Sequence, residues 1–220
     1  MSGTRYNQFC ALARAAEIIG ERWTLLIVRE LLLAPMRFGD LRARLDDISP
    51  ALLTSRLNAL IESGVVQRAT LPAPFNAQIY ELTEAGRALQ PAIRELIRWG
   101  GRFLFPMREG ETFEPDWVLL ALEAIARRTA VPACRIGLRI PHANGRAGFV
   151  IEGGPDGTRI SKAEPPGIAT IEASFDVVLQ VLARQISIEA AVDNGMAKIE
   201  GSTQTLRKLP GLFELVTAKR

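Results

Sequence analysis

The chain has 220 residues, 48% of them hydrophobic, which suffices for one large domain or two of ordinary size. Two distant cysteines, Cys10 and Cys134, and a single histidine, His142, argue against a disulfide framework, a zinc site or a histidine-based catalytic triad. The formal charge of +3 lies wholly in the first half: residues 1–110 hold 14 Arg and no Lys against 11 acidic residues, and residues 111–220 hold 13 of each sign.

A basic excess confined to one half is a weak electrostatic hint of nucleic acid. Exclusive use of Arg suits the fork geometry of phosphate and guanine, and genome composition gives the same bias. No run of ~18 or more apolar residues indicates a transmembrane span, so no membrane partner is expected. The opening MSGTRYNQFC lacks a hydrophobic signal core, which predicts a cytoplasmic protein.

Residues 9–19 read as an amphipathic helix ending at Gly20. Residues 22–33, RWTLLIVRELLL, are apolar on nearly every face and predict a helix buried on several sides, with Trp23 as a core anchor. Ala34-Pro35 breaks that helix, and residues 36–38 can form a short strand against a later hairpin. Arg37 and Arg42 flank the next turn, where each can reach a phosphate or stay a solvated charge.

Residues 38–80 organise the first half. A short helix and a turn lead to Ser49, a helix N-cap, and Pro50, a first helical residue. Leu53, Leu57, Leu60 and Ile61 give the new helix one apolar face. Its other face carries Ala51, Ser55, Asn58 and Glu62, flanked by Thr54 and Arg56. Small and amide side chains on an exposed helix suit a DNA major groove. Gly64 ends the helix. Residues 65–71 and 77–82 then read as strands joined by a rigid PAPFN tip, which makes the whole a helix-turn-helix with a wing. A helical hairpin inside a larger core is the plainer alternative; the attached wing and the order of elements argue against it.

Beyond the wing, Thr83 caps a helix over residues 83–103, limited by Pro91 and the Gly100-Gly101 pair. Leu89, Ile93, Leu96 and Ile97 fall on one stripe that Trp99 extends. With little of its own domain to pack on, this helix is expected to dimerise together with the N-terminal one. A dimer would set two recognition helices roughly 34 Å apart on a two-fold symmetric operator.

At this point the order of residues resembles the HxlR-type winged-helix transcription regulators. The resemblance covers about residues 10–104 and rests on GERWTLLIVRELL, RFGDLRARL, ISPALLTSRLNAL with its following Gly64, YELTEAGRAL, and the cysteine before the first helix. It implies a homodimeric bacterial regulator of double-stranded DNA, with Ser49 to Asn58 entering the groove and the wing near Asn76 approaching backbone or minor groove. Two positions depart from the family pattern. Ala11 follows Cys10 where proline is common, and Ala51 stands where asparagine is common, removing a possible base or phosphate contact. In some relatives the cysteine senses oxidants or electrophiles, which requires an accessible thiolate of low pKa. Arg14, one turn on, can stabilise such a thiolate if Cys10 faces it; a packed, unreactive cysteine is nonetheless the preferred reading.

In the second half, Pro106, Gly110 and Pro115 mark a linker, giving domains over 1–105 and 115–220 with 106–114 between them. An amphipathic helix, DWVLLALEAIARR, precedes four strand-like segments, CRIGLRI, RAGFVIEGG, GTRISKAE and IATIEAS, with GGPDG as a turn. Helical pieces FDVVLQVLARQ, IEAAVDNG and TQTLRKLP follow, with AKIEG as an intervening strand. The order predicts an α+β domain with an antiparallel sheet covered by helices. ATIEASFDVVLQVLARQ, IEAAVDNGMAKIEG and the closing LPGLF resemble sterol carrier protein type 2-like domains, over roughly residues 113–220. That resemblance implies an apolar tunnel for a hydrophobic small molecule. Candidate tunnel residues are Trp117, Leu120, Leu138, Phe149, Ile151, Phe175, Val178, Leu182 and Phe213, although for any one of them an ordinary core position is the simpler reading.

Glu152, Asp156 and Asp193 have no partner at motif spacing, and GGPDG lacks the Lys-Ser/Thr of a phosphate loop, so neither an enzyme nor a cofactor is expected. The sequence reads as a DNA-binding regulator whose second domain senses a hydrophobic effector. Two alternatives stay open: a structural second domain with regulation absent or through Cys10, and a lipid carrier.

Overall fold

The computed structural model describes residues 5–45, 47–104, 109, 111, 113–142 and 145–214. The chain divides into two compact units, Met1–Ile93 and Arg94–Arg220. Much of the linker read at 106–114, Pro106 and Gly110 included, lies outside the described residues. No helix among the described residues is long and apolar enough to cross a membrane.

The first unit runs α1 (Ala11–Ile19), α2 (Thr24–Leu33), α3 (Phe38–Arg44), α4 (Pro50–Glu62), β1 (Val66–Thr70), β2 (Gln78–Leu82) and α5 (Glu84–Arg87), and reaches into α6 (Gln90–Gly100). Ile27, Val28 and Leu31 of α2, Leu41 and Leu45 around α3, and Leu53, Leu57 and Leu60 of α4 form its core. α4 begins and ends as its sequence dictates. Ser49 accepts the Leu52 N–H at 3.2 Å, with Pro50 at the first helical position. Gly64, at φ 72°, lets the Val65 N–H reach back to the Leu60 carbonyl and its own N–H to Ile61, a Schellman stop.

β1 and β2 pair antiparallel from Val66↔Leu82 to Thr70↔Gln78. Met36 adds a single bridge to Tyr80, donating at 3.0 Å and accepting at 2.7 Å. The strand read at 36–38 is therefore one residue long. α2 buries Thr24, Ile27, Val28, Glu30 and Leu31, half-buries Leu25, Leu32 and Leu33 and exposes only Leu26 of its ten residues, as a helix covered on several sides does. Two further expectations change. Trp23 is half-buried rather than a core anchor, because the turn into α2 holds it at φ 79° with the Arg22 guanidinium 5.2 Å above its ring. The helix read over 83–103 is broken into α5 and α6. Pro91, the second residue of α6, has no N–H to give and its ring crowds the carbonyl four residues back, so the helix cannot continue unbroken from α5 into α6.

The second unit holds α7 (Pro115–Ile125), β3 (Cys134–His142), β4 (Gly145–Gly154), β5 (Gly157–Lys162), β6 (Thr170–Ala173), α8 (Phe175–Leu182), α9 (Ile188–Asp193), β7 (Ala197–Glu200) and α10 (Thr203–Leu206). The five strands form one sheet in the order β5-β4-β3-β6-β7. The antiparallel sheet expected from the sequence is corrected here: three pairings are antiparallel, but β3 and β6 run parallel.

The cause is the segment between β5 and β6. Lys162 ends β5 opposite Phe149, itself opposite Leu138, and Thr170 opens β6 opposite Gly137, so the chain crosses β4 and β3 without reversing. It lies against the sheet where there are no side chains. A Cβ on Gly148 would sit 2.7 Å from the Ala163 carbonyl oxygen, and one on Gly137 2.5 Å from Pro165. Glu164 of this strap meets Arg139 at 2.7 Å, and Glu200 meets Arg139 at 2.9 Å. The other sheet face carries Ile136, Leu138, Ile140, Phe149, Ile151 and Ile171, which pack with α7, α8, α9, α10 and the closing Leu209–Leu212 turn into one core.

Candidate nucleic-acid interface

The outer face of α4 is small, polar and exposed at its N-terminal end: Ser49, Ala51, Thr54 and Ser55 are all open to solvent. The Thr54 hydroxyl donates to the Pro50 carbonyl at 2.9 Å, and both Thr54 and Ser55 stand exposed. Further along, the side chains are already engaged. Arg56 donates to the Arg22 carbonyl at 3.2 Å and to Glu21 at 2.7 Å, fastening α4 to the turn before α2. Asn58 accepts from Arg68 of β1 at 3.0 Å, keying the wing to the helix. Arg37 and Arg42 are exposed, and Asn76 stands at the exposed wing tip at φ 37°.

The helix that leads into this face is held from beneath. Glu30, wholly buried on α2, receives Arg29 at 2.6 Å and Arg44 of α3 at 2.8 Å. Sequence reasoning passed over Glu30; a lone acid inside an otherwise apolar helical run was the available signal. It also passed over Phe75, which stands 68% exposed between Pro74 and Asn76.

Cys10 is exposed and occupies the N-cap of α1 without making a side-chain cap bond. Arg14 does not serve it: its guanidinium pairs with Glu17 at 3.0 Å. That hydrogen bond, and the Tyr6 N–H donated at 2.8 Å, hold the Glu17 carboxyl below its ordinary value.

Against this geometry, residues 18–108 match the family described as HxlR-like helix-turn-helix. YodB of Bacillus subtilis, an HTH-type transcriptional regulator, is 35% identical over 101 residues, covering 46% of this chain and 90% of YodB. The chain belongs to the HxlR-like helix-turn-helix family. YvaP of the same organism, an uncharacterised HTH-type transcriptional regulator, is 36% identical over 42% of this chain and 86% of its own. An uncharacterised HTH-type regulator of Mycobacterium tuberculosis is 44% identical over 100 residues, and there the match spans only 62% of the relative's length. The reduced form of YodB aligns with a TM-score of 0.40 at 33% identity, over 46% of this chain and all of that one.

The nine residues nominated for a tunnel all fall in the second unit, apart from the HxlR-like match. Leu138, Phe149, Ile151, Val178, Leu182 and Phe213 belong to the core between sheet and helices, with exposures of 0–4%. Leu120 is buried, Trp117 and Phe175 are half-buried, and the Phe175 ring lies 6.0 Å from that of Phe113. A cleft of about 440 Å³ lies elsewhere, lined by Arg135, Gly167, Ile168, Glu200, Ser202 and Thr205 among others. Another of about 250 Å³ lies in the first unit between Leu31–Pro35 and Glu81–Gln90. None of the nine lines either. No group of three His, Cys, Asp or Glu among the described residues is placed to hold a metal ion.

Proposed function

We propose that the protein is a DNA-binding transcriptional regulator that acts as a homodimer on a two-fold symmetric operator. One observation carries the reading: a capped, rigidly seated α4 presents Ala51, Thr54 and Ser55 outward with no internal use for that face. Such a face admits close approach to base edges, while Arg37 and Arg42 offer phosphate contacts beside it. Relatives that share this unit are named as transcriptional regulators, which supports the assignment. Arg56 and Asn58 then act by fixing the helix and the wing, and reach DNA only by leaving their present partners. The test uses a duplex selected by the full chain from a random pool. Ser55→Glu places a carboxylate against the groove and is expected to weaken binding at least tenfold with an unchanged melting temperature. Retained affinity in that variant would sink the reading.

The second unit is proposed to be sterol-carrier-like and to take a hydrophobic effector between its sheet and α7–α8. The one-sided helical cover and the order of strands and helices support this. Because the nominated residues are closed upon one another, entry requires the helices to part. The effect on DNA can be no larger than the ligand's difference in affinity between two states of the dimer. Native mass spectrometry and solvent extraction of the purified protein test it: a co-purifying apolar molecule, reduced by Phe175→Trp, is the expected result. A clean protein with no mass shift on adding lipid favours a structural second unit. In that case the exposure of Cys10 makes it the place for regulation, and Cys10→Ser should abolish any response of DNA binding to diamide.

A further inference from the structure

We propose that Phe75 is a wedge, pressed by the wing into the DNA minor groove between two base pairs, where it unstacks the step and bends the duplex. The inference rests on the DNA-binding reading above and specifies how the wing contributes to it.

Four observations converge. The ring is 68% exposed, and its neighbours Pro72, Ala73, Pro74 and Asn76 are exposed too, so the tip is a free-standing apolar point. The point is held in shape: Leu71 donates to the Ala77 carbonyl at 2.9 Å and Phe75 to the Pro72 carbonyl at 3.2 Å, with φ fixed at both prolines. A tip whose backbone is set before binding has less conformational freedom to lose on contact. The tip carries no cation, since no Lys or Arg occurs between Arg68 and Arg87. Phosphate attraction therefore cannot be what this tip supplies. Finally, Arg68 of β1 is hydrogen-bonded to Asn58 of α4, so the wing's direction is set by the helix that reads the groove.

An apolar tip aimed at DNA can bury itself against the sugar walls of the groove or, most fully, against the faces of the bases. Phe and Pro wedges at minor-groove steps work in this way: the step opens on the minor-groove side and the duplex bends toward the major groove. Pyrimidine–purine steps unstack most readily, so the wedge selects them at a position where no hydrogen bond reads the base.

The experiment uses the full chain and its selected duplex, with 2-aminopurine substituted at successive steps under the wing and a donor–acceptor dye pair at the ends. Wild-type protein is expected to raise 2-aminopurine fluorescence at one step per half-site and to bend the duplex by about 20–90°. Phe75→Ala is expected to lose both signals and about tenfold in affinity, with the salt dependence unchanged because no charge is removed. Phe75→Arg is expected to recover affinity with a steeper salt dependence, but not the fluorescence. A Phe75→Ala protein that binds and bends like wild type overturns the wedge; if Ser55→Glu still abolishes binding in the same assay, the DNA-binding reading stands without it. Failure of the wild type to select any sequence overturns both. Light scattering of Phe75→Ala closes the remaining route: dissociation into monomers would assign the ring to a second copy of the chain and overturn the wedge.

Discussion

Glu30 is a carboxylate buried to zero exposure, and Arg29 and Arg44, which both reach it, offset the cost of that burial. Its role is to seat α3, and so the turn into α4, on α2. Glu30→Ala leaves two guanidiniums without their shared anion; we expect a loss of about 3 kcal/mol in urea unfolding, read on the full chain. Glu17 is the opposite case, exposed and local. Its carboxyl is held down by Arg14 and by the Tyr6 N–H, so the bond that ties residue 6 to α1 is intact above the ordinary carboxylate range. It is lost as pH falls through the lowered value, because protonation removes the charge that both donors favour. Hydrogen exchange at the Tyr6 amide, corrected for its intrinsic rate, should stay flat through the ordinary carboxylate range and accelerate only as pH falls below it, through the lowered value. In Glu17→Gln it should be fast throughout. Residues of this kind explain what the sequence leaves out. The exposed positions of α4 follow from helical period, but the engagement of Arg56 and Asn58 depends on Glu21 and Arg68, whose distance in space no spacing encodes.

Among elements, caps and turns were legible and pairing direction was not. Ser49-Pro50, Gly64 and Gly154-Pro155-Asp156-Gly157 announce their local geometry through residue type alone. The parallel β3–β6 pair does not, because strand alternation looks the same in either direction. What decides it is the strap over Gly148 and Gly137, and the two glycines read as weak strand positions until their close neighbours are seen. Gly137→Ala should therefore cost about 1–3 kcal/mol, as its Cβ would meet Pro165 and the Thr170 hydroxyl. Gly154→Ala, in the same sheet with open space around it, should be nearly neutral. The end of α8 gives the reverse prediction. Arg184 stands at φ 58° in the place Gly64 holds after α4, with the Gln185 N–H reaching the Gln180 carbonyl. Arg184→Gly relieves that backbone and is expected to stabilise the second unit by about 0.5–1 kcal/mol in thermal or urea unfolding.

At the scale of the molecule, the first unit's family was readable because its motifs fix turns and caps in order, and those survive as geometry. The second unit's apolar spacing is satisfied equally by a filled core and by a tunnel, so its residues could be placed between sheet and helices without revealing which. The apolar residues left outside are more telling. Phe9 and Leu12 on and before α1 are 108% and 77% exposed, and Ile18 joins them at the other end of the helix. In the second unit, Trp99 and Phe103 stack edge to face at 5.1 Å and are both exposed as well. Large side chains grouped in this way mark surfaces that association covers, and a helix carrying them covers itself best against its own two-fold copy. In the proposed dimer each half-site would be held by one short helix, and the second would engage at a high effective concentration once the first is bound. Phe9→Glu combined with Leu12→Glu puts four like charges on the two-fold contact while removing nothing from the core of the unit. The double variant should sediment as a monomer with a native melting transition, and its affinity for the full operator should fall at least a hundredfold, to that of an isolated half-site. A double variant that remains dimeric would move the contact away from α1, and the same substitutions at Trp99 and Phe103 would then decide whether the second unit supplies it.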